Sequence, residues 1–155
     1  MMRTIVGCDP GFAGAIAVLG PKGAPTLHRM PLLKQRKHAY HVVDICDLLC
    51  ENGPSEMIPA TAPTPLLVIE QVTRPASLTR CMGILEGLGE ALGYDVATVR
   101  PQEWKRYFGL GPVKADSIAL VLKKWPSLAK VITRTGDDGL AEAALIALWA
   151  RENIA

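Results

Sequence analysis

The segment Pro65–Gln71 (PLLVIEQ) decides much of the architecture, because it is an unbroken apolar run that closes on a carboxylate. A strand without polar alternation needs cover on both faces, which puts it in the middle of a sheet between layers of helices. Glu70 at its end must then be paired, ligate a metal or emerge at the sheet rim, since an isolated carboxylate in apolar surroundings is costly. With 155 residues, 49% of them hydrophobic, the chain can bury such a sheet as one domain over residues 1–155.

The other segments supply partners for that strand. Arg3–Asp9 is β-branched and alternating, Gly11 interrupts it, and Ala13–Leu19 resumes as a second apolar run, the pattern of a hairpin around Asp9-Pro10-Gly11. A turn at Gly20–Gly23 leads to a third short strand near Thr26–Met30. Apolar residues at helical spacing predict an amphipathic helix over Ala39–Cys50, and the proline-rich stretch 53–65 reads as a loop. Ser77–Leu92 reads as a helix despite Gly83, Gly87 and Gly89, each costing about 1 kcal/mol relative to alanine in an isolated helix. Those glycines point either to tight packing on the sheet or to a dimer or DNA contact. Tyr94–Val99 predicts a further strand, followed by a short helix from Pro101, an amphipathic helix over Lys114–Trp125 and a last helix over Asp138–Glu152. The resulting order is βββαβαβαα.

Bulk properties exclude several classes. The longest apolar stretches fall well below the roughly 20 residues of a membrane-spanning helix, and no signal region precedes Asp9, so the expected compartment is the cytoplasm, or an organelle matrix after removal of a transit peptide. Cys8, Cys46, Cys50 and Cys81 form no CxxC pair and read as reduced core residues, while His28, His38 and His41 lack zinc-ligand spacing. A net charge of +2 is too small to argue for nucleic acid by itself.

Carboxylates carry the chemical argument. Asp9 ends the first strand, where strand propensity does not favour aspartate; an Asx turn is its ordinary explanation. In Gly136–Glu142 (GDDGLAE), Asp138 and Glu142 lie four apart and share one face of the last helix, where like charges repel unless a cation relieves them. Helix capping by Asp137 or Asp138 explains part of the same cluster. Asp9, Glu70, Asp137, Asp138 and Glu142 together offer only oxygen ligands, which suit Mg²⁺ or Mn²⁺. Two such ions about 3.5–4 Å apart would suffice for phosphodiester hydrolysis without a histidine base.

Four motifs resemble the RuvC-like Holliday junction resolvases of the RNase H-like superfamily: GCDPGFAGAIAVL, LLVIEQV, VRPQEWKRYFGL with VKADSIALVLKKWP, and DDGLAEAALIALWAR. The last is similar to the phage and chloroplast branch. This resemblance implies a mixed five-stranded sheet of order 3-2-1-4-5 flanked by helices. It also implies a homodimer that nicks opposed strands of a four-way DNA junction to leave 5′-phosphate and 3′-hydroxyl ends, using divalent metal and no small-molecule cofactor or membrane. Asp9, Glu70 and Glu142 would then be ligands, with Asp137 and Asp138 competing for one further place.

Candidate DNA contacts follow. Lys34, Arg36 and Lys37 form a basic loop before the first helix, which is either a phosphate grip or solvated surface. By resemblance, Lys105 and Lys114 approach the scissile backbone, with Arg106 beside them, and Arg74 and Arg80 lie where resolvases sense junction bases. Trp104, Tyr107 and Phe108 read as core or hinge residues. Other readings of the pattern are an RNase H-like nuclease acting on RNA–DNA hybrids or as an exonuclease, a non-catalytic DNA-binding protein, and a phosphotransferase of the actin-like type, which one short domain disfavours.

Overall fold

A computed structural model describes residues 2–54 and 61–154; the side chain of Lys37 lies outside this description. Strands β1 (Ile5–Asp9), β2 (Ala15–Leu19) and β3 (Thr26–Arg29) form the expected antiparallel series. A two-stranded ribbon, β4 (Leu32–Leu33) with β5 (Arg36–Tyr40), leads into helix α1 (Val42–Asn52). Strand β6 (Leu66–Glu70) is followed by α2 (Ala76–Ala91), β7 (Asp95–Val99), α3 (Pro101–Tyr107), α4 (Lys114–Lys124), a 3₁₀ turn at Pro126–Lys130 and α5 (Asp138–Asn153). The apolar run does become an inner strand: β6 lies between β1 and β7 and runs parallel to both. The order β3-β2-β1-β6-β7 is the predicted 3-2-1-4-5 once the ribbon's two strands are counted.

The ribbon corrects the reading of residues 33–38 as a loop. Leu32 pairs with Tyr40 and Leu33 with Arg36, so the basic residues occupy a two-stranded hairpin and its turn. Helix α1 accordingly starts later than predicted, at Val42, where His41 Nδ1 accepts from the Asp44 N–H as a cap. Within the proline-rich stretch, residues 55–60 lie outside the described part. No helix of the described residues is long and apolar enough to cross a membrane.

Each sheet face has its own core. Val6, Cys8, Leu67 and Ile69 pack toward α1 and α2, while Ile5, Leu66 and Val68 pack toward α4 and α5. Cys8 and Cys81 are buried, and all four cysteines are free thiols. Helix α5 is buried over most of its surface, with Ala143, Ala144, Ala147 and Ala150 fully covered. Its small residues matter because they let it lie close to β1. A Cβ at Gly7 would stand 2.5 Å from the Ala143 carbonyl oxygen, and one at Gly139 would collide with the Ala13 carbonyl of the β1–β2 turn. These two glycines set the separation between the end of β1 and the first turn of α5.

The glycines of α2 divide. Gly89 is buried against Leu67 and Val96, the predicted close approach to the sheet, whereas Gly83 and Gly87 face open space and contribute nothing to that packing.

Candidate active site

The parallel strands β1 and β6 both end on a carboxylate at the same edge of the sheet, and the side-chain alternation puts Asp9 and Glu70 on the face covered by α5. Asp9 is held by an Asx turn, its Oδ1 accepting from the Gly11 N–H at 3.0 Å. That local explanation and a chemical role coexist, because the turn leaves the second oxygen uncommitted. Glu70 Oε2 accepts a 2.7 Å hydrogen bond from the Trp104 indole Nε1. Trp104 is fully buried, as expected of a core residue, but its one polar atom is aimed at the end of β6. The signal in the sequence for this tether is general: a buried tryptophan needs an acceptor for its N–H.

Two further carboxylates come from the first turns of α5. Asp138 Oδ2 lies 2.9 Å from Lys114 Nζ, and Glu142 Oε1 lies 3.2 Å from Lys105 Nζ. Lys105 also sits over the Trp104 ring at 5.2 Å. Burial pushes the Asp9 carboxyl up to about 6; the Gly11 N–H opposes the shift, the charges of Glu142 and Asp138 add to it, and Lys105 opposes it. Burial likewise raises Glu70 to about 7, with Asp9 adding to the shift and the Trp104 hydrogen bond opposing it. The four acids therefore share one electrostatic neighbourhood, in which holding every carboxylate ionised is unfavourable without added cations.

Asp137 does not join them. Its side chain is 1% exposed and accepts from Arg29 at 2.8 Å and from the Thr133 and Arg134 N–H groups at 2.9 and 3.0 Å. The Arg29 hydrogen bond, against the opposing effect of burial and with help from the two N–H groups, lowers its pKa to about 2. Of the two aspartates left competing by the sequence, Asp138 faces Asp9's neighbourhood and Asp137 anchors the preceding loop to β3. Asp137 thus stands with Arg29 and the 133–134 backbone rather than beside the other four acids.

Among the described residues, no three His, Cys, Asp or Glu side chains stand close enough together to hold a metal ion as they are now placed. The donor chemistry nonetheless fits a hard divalent cation: the acids offer oxygens only, and burial with like charge disfavours the ionised forms of Asp9 and Glu70, which a cation would offset. Asp138 and Glu142 are each engaged with a lysine.

Further basic residues are exposed on neighbouring elements of the chain. Arg74 and Arg80 are exposed on the β6–α2 connection and the first turns of α2, and Arg106 is exposed on α3. Lys34 and Arg36 are exposed on the ribbon, which leans on the turn after Asp9: the Tyr40 hydroxyl donates to the Pro10 carbonyl, and the Phe12 and His38 rings meet edge to face at 5.0 Å.

No family model matches the sequence, and no curated protein does. Among solved structures, RuvC of Thermus thermophilus is similar over 98% of this chain and 98% of its own, with a TM-score of 0.57 at 16% identity. A second structure, of T. thermophilus RuvC in complex with Holliday junction substrate, is similar over 97% of this chain and 96% of its own, with a TM-score of 0.60 at 15% identity. Over nearly its whole length, the chain has the RNase H-like fold of RuvC.

Proposed function

We propose that this protein is a divalent-metal-dependent endodeoxyribonuclease that resolves four-way DNA junctions by paired nicks leaving 5′-phosphate and 3′-hydroxyl ends. The observation that carries the reading is the meeting of Asp9, Glu70, Asp138 and Glu142 at one sheet edge, within a fold shared with a protein solved on a Holliday junction. Mg²⁺ or Mn²⁺, two ions per site, would supply Lewis acidity and an activated water there. Asp9, Glu70, Asp138 and Glu142 would hold the metal, and Trp104 fixes the direction in which Glu70 presents its free oxygen. Lys105 and Lys114 reach the same acids from α3 and α4, so their ammonium groups stand where a phosphate backbone would enter.

Lys34, Arg36, Lys37, Arg74, Arg80 and Arg106 would bind that backbone, charge spread over a frame whose net value is only +2. Four-way DNA has two-fold symmetry, which suits a homodimer presenting two sites. Labelled four-way junction, fork, duplex and RNA–DNA hybrid incubated with protein and Mg²⁺ test the reading. Symmetric nicks confined to the junction support it; cleavage of hybrid alone assigns another nuclease of this fold, and binding without cleavage assigns a DNA-binding protein.

A further inference from the structure

We propose that Lys105 and Lys114 are resident counter-ions of the acidic edge, which release Glu142 and Asp138 when divalent metal binds, so that metal and DNA reinforce each other's binding. The inference rests on the metal-binding reading above. Its basis is an asymmetry within two ion pairs. The side chains of Asp138 and Glu142 are only 15% and 12% exposed, fixed on a buried helix, whereas Lys114 is 74% and Lys105 31% exposed. The lysines, Lys114 above all, have more room to swing away than the acids do.

Charge accounting gives the direction. Four carboxylates and two lysines sum to −2 when all are ionised. Adding two divalent ions while both lysines stay brings the cluster to +2, an excess that is relieved when the ammonium groups turn away, toward an incoming polyanion such as a phosphate backbone. The lysines hold two of the carboxylates that the reading above assigns to metal. With DNA, the same ammonium groups have phosphates to turn to. Linkage makes the effect reciprocal: metal must raise DNA affinity by the factor by which DNA raises metal affinity.

Mn²⁺ binding to the free protein, read by electron paramagnetic resonance, tests this without relying on nicking. With the low end for exposed ion pairs, about 0.2 kcal/mol each, as a floor for these partly buried ones, Lys105→Met with Lys114→Met should tighten Mn²⁺ binding by about 2-fold or more. Lys114→Met alone, at the more exposed lysine, should give a smaller gain in the same direction. Lys123→Met is the control; it lies nine residues further along α4, about 13 Å away, and should change nothing. Junction affinity by fluorescence anisotropy in Ca²⁺ against chelator should rise with Ca²⁺ in the wild type, and rise less in the double variant. Unchanged or weaker Mn²⁺ binding in both lysine variants overturns the proposal, as does an equal gain from Lys123→Met. If the wild type nicks junctions while the lysine variants show no gain, only this inference falls. Absence of Mn²⁺ binding in every form, together with absence of nicking, overturns the nuclease reading as well.

Discussion

Asp137 and Asp138 are neighbours in sequence and have opposite surroundings. Asp137 sits at the cap position of α5 with its carboxylate enclosed by Arg29 and two backbone N–H groups, which hold its proton affinity low. Asp138, one residue on, faces the neighbourhood of Asp9, Glu70 and Glu142, where burial and like charge hold Asp9 and Glu70 high. One region stores stability and the other spends it. The first ties α5 to β3 through satisfied hydrogen bonds, so that the second can keep several acids together at a sheet edge where they repel.

The contrast can be broken from either side. The largest effect is expected from Asp9→Asn, which should lower Mg²⁺-dependent nicking by about 10³-fold or more, as expected when a charged ligand is lost, while leaving junction binding intact. Because ionised Asp9 is disfavoured in the metal-free fold, the same variant should melt at or above the wild-type temperature; a large drop in melting temperature would show that Asp9 belongs to the stabilising region instead. Asp137→Ala should do the reverse, costing about 2–4 kcal/mol in urea unfolding through loss of charge-assisted hydrogen bonds. Trp104→Phe removes the tether on Glu70, together with some core packing and part of the Lys105 ring contact, and should weaken Mn²⁺ binding about 10-fold in protein that remains folded. Smallest is the acid response of the anchor. Its folded pKa of about 2 lies below the ordinary 3.8, so Asp137 contributes stability above pH 4 and loses it as pH falls toward 2. The loss, about 1–2 kcal/mol, should be missing from the acid unfolding curve of Asp137→Asn.

Much of the fold was legible because its signals were local and strong. The PLLVIEQ run required an inner strand, and Asp9-Pro10-Gly11 marked the hairpin whose first strand ends on the candidate ligand Asp9. The ribbon of β4 and β5 was missed because its basic, poorly alternating residues resemble a solvated loop, and pairing depends on a bulged register between Leu32 and Leu33. Spacing alone put Asp138 and Glu142 on one face, but nothing local distinguished Asp137: its partner Arg29 is 108 residues away, and only folding brings them together. Trp104 was hidden for the same reason, its acceptor Glu70 lying 34 residues upstream.

Nicking of a labelled four-way junction in Mg²⁺ by Asp138→Asn and Asp137→Asn, assayed side by side below both melting temperatures, tests the division of labour most directly. The metal site proposed on Asp9, Glu70, Asp138 and Glu142 predicts that Asp138→Asn loses nicking by about 10²-fold or more, the cost of a charged ligand, while Asp137→Asn stays within a few-fold of the wild type. Retained nicking by Asp138→Asn with loss in a folded Asp137→Asn would contradict it.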